Sequence, residues 1–116
     1  MEADHIAAAV RAALADVAIR EVKMFGGIGF MLNDNMLVAT SKRGLLVRVG
    51  KDAESVALAR PGARIMEMRG RVMQGYIFVD PSALGKASVA SWLRLARAFV
   101  ETLPPKSNAG EKGKNT

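Results

Sequence analysis

The sequence predicts an α+β protein: an antiparallel sheet of about five to six strands with flanking helices, in the order α-β-β-β-β-α-β-β-α. Three observations predict it. Apolar residues recur at helical spacing at both ends of the chain. Between those ends lie short runs with strand-like alternation. Tight turns join the runs, as in an antiparallel meander. A chain of 116 residues has room for one core of helices packed on a sheet, but not for two. One domain is therefore expected over residues 1–105.

From Ala3 to about Val17, the residues Ile6, Val10, Leu14 and Val17 recur at helical spacing with Ala9 and Ala13 beside them. This is a first amphipathic helix. Three extended runs follow, Ile19 to Phe25, Ile28 to Leu32 and Met36 to Thr40, with Asn33-Asp34-Asn35 as a turn of residues that tolerate positive φ. A fourth follows the Ser41-Lys42-Arg43-Gly44 turn, where Leu45, Val47 and Val49 alternate with Leu46 and Arg48.

Asp52 is read as the cap of a short helix through Leu58, which Pro61-Gly62 must terminate. RIMEM and RVMQGYIFV then form two more strands around Arg69-Gly70, and Asp80-Pro81 ends the second. Both faces of that second strand are apolar, so cover is expected on each side. The last helix is the clearest, with Val89, Trp92, Leu93, Ala96, Phe99, Val100 and Leu103 on one stripe and Arg94, Arg97 and Glu101 opposite. Ser88 is expected to cap it and Pro104-Pro105 to stop it. The tail 106–116, KSNAGEKGKNT, has nothing substantial to bury and is expected to be disordered.

Composition narrows the function. The chain has no cysteine, which excludes disulfides, thiolate zinc sites and cysteine nucleophiles, and fits a reducing, cytoplasmic setting. Asp4, Arg11 and Asp16 interrupt the N-terminal apolar run, and no segment is long and apolar enough to span a membrane. The only histidine, His5, lies near the start of a surface helix, carboxylates are scattered singly, and no Gly-x-Ser-x-Gly elbow is present. No catalytic residue, cofactor or metal is therefore expected, and the protein is read as a non-enzyme.

MFGGIGF, at 24–30, places Gly26, Gly27 and Gly29 where one strand must bend into the next. The alternative, a phosphate-binding loop, would need glycines opening a helix, and no helix follows. The glycines are read as structural.

KMFGGIGFML, LLVRVGKDA, the block from PGAR through MRGRVMQGYIFVDPSAL, and the ending WLRLARAFVETLPPK together resemble the N-terminal domain of the TfoX/Sxy competence regulators. The resemblance covers nearly the whole chain. It implies an antiparallel sheet flanked by helices in a secretion-chaperone-like two-layer arrangement. It also implies transcriptional coactivation of competence genes beside the cAMP receptor protein, so that transcription machinery becomes an expected partner. In those regulators a helical C-terminal domain follows, whereas this chain runs on into its polar tail.

Two interaction readings remain open. Arg64, Arg69, Arg71 and Lys86, with Lys42 and Arg43 on another hairpin, could form one cationic rim if those ends of the sheet coincide, and so meet phosphates or an acidic protein. The net charge of +6 permits this, although the tail supplies +2 of it. A protein partner or a homodimer is the favoured reading. Seven methionines offer adaptable apolar surface, and Leu46 and Leu95 lie off the buried stripes of their elements. Arg69, Arg71 and the segment Met24 to Gly29 are the residues expected to matter most.

Overall fold

The computed structural model describes residues 2–24 and 26–105; the tail expected at 106–116 lies outside the described residues. The elements run α1 (Ala3–Ala13), β1 (Arg20–Met24), β2 (Gly27–Leu32), β3 (Asn35–Ser41), β4 (Gly44–Arg48), α2 (Glu54–Leu58), β5 (Ala63–Met68), β6 (Arg71–Val79) and α3 (Lys86–Val100). Short 3-10 turns at Lys51–Ala53 and Pro81–Ala83 precede α2 and α3. This is the α+β order that the alternation predicts. The six strands make one antiparallel sheet in the order β1-β2-β3-β4-β6-β5. The β5–β6 hairpin joins the meander by its second strand, leaving β5 at the edge.

Residues paired across antiparallel strands share a face of the sheet, so the register sorts the side chains into rows. Ile28, Thr40, Leu45, Val79 and Ala63 form one row, and Phe30, Val38, Val47, Ile77 and Ile65 a second. Both rows face α1 and α3, which pack on each other and on β3 and β4. From the helices, Ile6, Val10, Val89, Trp92, Leu93, Ala96 and Val100 close this core. A third row, Val22, Gly29, Ala39, Leu46, Phe78 and Arg64, crosses all six strands on the opposite face.

A bulge adds to the core. Phe30 pairs with Val38 and Met31 with Met36, which leaves Leu37 without a partner. Leu37 and Val38 are both fully buried, so two successive side chains enter the interior where regular pleating admits one.

Five expectations are corrected. The first helix stops at Ala13, because Leu14 has already left helical geometry, yet Leu14 and Val17 pack on the core from the following turn. Asp52 caps nothing: it lies inside the 3-10 turn that runs directly into α2, whose N-cap is Ala53. Ser88 lies within α3, not ahead of it, and its Oγ accepts the Gly85 N–H at 2.7 Å. That helix ends at Val100, where the Thr102 hydroxyl donates to the Phe99 carbonyl at 2.6 Å, so Leu103 falls beyond it. The expected cover on both faces of β6 is found on one only. Ile77 and Val79 face the helical layer, and Tyr76 and Phe78 face away from it.

Candidate interaction surfaces

The β5–β6 hairpin is longer than the sheet that carries it. β4 pairs only with Tyr76–Val79, so the first half of β6 has β5 as its sole ladder partner. An isolated two-stranded ribbon is marginal in water unless its side chains find cover. Here they do not: of the four exposed large apolar residues among the described ones, Ile65, Met68 and Val72 lie on this hairpin, and only Val56 lies elsewhere.

At the ribbon's tip Met68 pairs with Arg71 around Arg69 and Gly70, which have φ of 54° and 77°. Positive φ at both central positions is the two-residue hairpin geometry that favours Asn-Gly. The other non-glycine residues with positive φ among the described ones are Asn33 and Asp34, which tolerate it. Arginine does not share that tolerance. Neither Arg69 nor Arg71 has an ion-pair partner among the described residues.

The cations expected to form one rim are divided. Arg64 lies at the other end of the ribbon, stacked 4.9 Å from the Phe78 ring and 3.8 Å from Asp80. Hydrogen bonds from the Ser82 amide and hydroxyl hold the Asp80 carboxyl below the ordinary carboxylate range, with Arg64 adding less. Lys86 opens α3 close by, and the Lys42-Arg43 turn joins this end through the pairing of Leu45 with Val79. Arg71 opens β6, and Phe78, the partner of Arg64, lies seven residues further along it, on the order of 20–25 Å at strand rise.

Leu46 and Leu95 are divided as well. Leu46 is half-buried in the middle of the outer row, between Ala39 and Phe78. Leu95, on α3, packs partly against the core. It lines a shallow groove of about 510 Å³ with Val49, Gly50 and Phe99.

At the glycine cluster, Gly26 has φ of 75°, and a side chain at Gly27 would collide with the Thr40 carbonyl of β3. Gly29 lies under the Met24 thioether. An open groove of about 520 Å³ between this hairpin and α1 carries Asp4 and Lys23. No nucleophile with a tuning base lines it. His5 is exposed, and no group of three or more His, Cys, Asp or Glu among the described residues could hold a metal ion. No described helix is long and apolar enough to cross a membrane.

The sequence reading passed over Arg48. Its guanidinium lies between the Tyr76 and Phe99 rings, 5.7 and 5.6 Å from their centres, with no carboxylate in salt-bridge range among the described residues. The alternation of β4 placed it opposite Val47, but which aromatic rings meet it there is set by the β4–β6 pairing.

Among known families, a family model described as the TfoX N-terminal domain aligns with residues 10–100. No curated protein and no solved structure matches the chain.

Proposed function

Because the chain belongs to the TfoX N-terminal domain family, we propose that it is a regulatory interaction domain without catalytic chemistry, and that the β5–β6 ribbon holds its protein partner. The observation that carries this reading is the concentration of exposed apolar side chains, Ile65, Met68 and Val72, beside two arginines, Arg69 and Arg71, that have no ion pair among the described residues. A partner that fits presents an apolar patch edged by carboxylates. The apolar contacts supply affinity, and the arginines fix orientation through ionic hydrogen bonds. Arg69 supports the same reading, since a strained tip kept as arginine favours a role for the side chain over the turn. The family points to the transcription machinery as the source of the partner.

A photo-crosslinking side chain at Val72 in living cells tests this. A discrete protein adduct, absent when Arg69 and Arg71 are both alanine, is the expected result. The same arginines favour a second reading, contact with nucleic-acid phosphates. In that case binding to duplex DNA would weaken with salt, and the double alanine variant would flatten the slope of log K against log salt by about 1.8. If neither a protein adduct nor DNA binding is found, the assignment of the ribbon is overturned.

A further inference from the structure

We propose that the uncovered face of the sheet is a second docking surface, which takes an amphipathic helix of another protein. That helix lays apolar side chains along Ala39, Leu46 and Phe78 and sets a carboxylate against Arg48. The proposal does not use Ile65, Met68, Arg69, Arg71 or Val72, which carry the ribbon reading, and either can fail alone.

Both terminal helices pack on β3 and β4 from the side of the inner rows, and α3 meets the outer face at Arg48, whose guanidinium lies 5.6 Å from the Phe99 ring centre. Phe78 shows what this leaves. It is only 8% exposed yet stands outside the core cluster, shielded by the Arg64 guanidinium instead of by apolar neighbours across a layer. In the middle of the row, Gly29 and Ala39 are adjacent and small, which makes a shallow trough. Met24 lies across it, its Cε and Sδ 2.7 and 2.9 Å from where a Cβ at Gly29 would stand. A thioether on three rotatable bonds fills such a space loosely and moves aside readily.

Charge selects the occupant. The strand positions on this face include Arg20, Arg48 and Arg64, while the carboxylate of β5, Glu67, pairs with Val72 out on the ribbon. Asp34 and Asp80 reach Arg20 and Arg64 from neighbouring turns, but no carboxylate among the described residues lies in salt-bridge range of Arg48. Covering a half-buried cation without an anion is costly, so the covering element brings one.

A second copy of the chain fits poorly. Packing two such faces sets arginines toward arginines. At strand and residue spacings the face offers roughly 350 Å² a side, or about 700 Å² in total, below the roughly 1,200 Å² total of a stable dimer but within the range of a transient contact. Residues 106–116 fit no better, having three lysines, one glutamate and a single alanine as their apolar content. A strand would add to the sheet's edge, whereas a face accepts a helix, as the inner face does.

The test uses the full chain with two designed 18-residue helices. One has leucines on one face flanked by glutamates, and its twin has lysines in place of the glutamates. The glutamate helix should shift the amide resonances of Ala39, Leu46 and Phe78, with the twin at least tenfold weaker. Leu46→Asp should abolish binding while keeping the dispersed core resonances of Ile77 and Trp92, and Arg48→Glu should reverse the preference between the helices. No binding, equal binding of the two, or shifts confined to residues 65–72 of the ribbon would overturn the proposal. So would concentration-dependent shifts on this face without peptide, which would make a second copy the occupant.

Discussion

At the scale of single residues, neighbouring glycines make different demands. A Cβ at Gly27 meets the Thr40 carbonyl, a backbone atom of β3 that cannot turn away, so Gly27→Ala must separate β2 from β3. A loss of about 2–3 kcal/mol is expected in urea unfolding. The same change at Gly29 meets only the end of Met24, and a loss under about 1 kcal/mol is expected. Equal losses would show that the hairpin does not pack this way. Arg69 gives the opposite sign. Arg69→Asn puts a residue tolerant of positive φ into the Asn-Gly turn that the ribbon geometry favours, which should stabilise the fold by about 0.5–1 kcal/mol. The Val72 adduct should weaken in that variant. A destabilised Arg69→Asn would remove the strain from the case for function.

At the scale of elements, apolar side chains of similar appearance in the sequence have different worth. Trp92 is 2% exposed in the core, and Trp92→Ala should cost about 3–5 kcal/mol. Leu46 is half-buried on a face without a second layer, and Leu46→Ala should cost less than about 1.5 kcal/mol. Comparable losses would mean that something covers the outer face. This contrast marks where the sequence was readable. The stripe of α3 and the alternation of β4 state which residues share a side, because the period of each element is fixed by its backbone. They do not state which side receives a helix. The two apolar faces of β6 therefore read alike, although Ile77 is in the core and Phe78 is under an arginine. Leu37 was hidden for a related reason, since a bulge breaks the period-two rule from which it would be read. The ends of α1 and α3 were misplaced because Val17 and Leu103 continue the apolar pattern after the helix has stopped. The basic residues of the candidate site were visible singly, but not their division between the two ends of β6, which follows from pairing partners far apart in the chain.

At the scale of the whole molecule, exposed ion pairs tie its parts together. Arg11 of α1 holds Glu21 of β1 through two bonds of 2.7 and 2.8 Å, and Arg97 of α3 holds Asp16 beyond the end of α1 at 3.1 and 3.3 Å. In each pair the arginine's hydrogen bonds are the main cause that holds the carboxyl below its ordinary value. Asp80 is lowered too, chiefly by Ser82. A carboxyl whose value is lower in the folded chain than in the unfolded one stabilises the fold while both are ionised, above about pH 4–5. As the pH falls, the unfolded chain takes up the proton first, so that contribution disappears between about pH 4 and the lower folded values. Because these groups are exposed, water and salt screen them, and the loss should be modest and smaller at high ionic strength. Urea midpoints between pH 7 and pH 3 should therefore fall on the acid side. Combining Glu21→Gln with Asp16→Asn should lower the midpoint slightly at pH 7 and flatten its fall toward pH 3. If the double variant falls as steeply as the parent chain, these pairs do not link α1 and α3 to the rest of the molecule energetically.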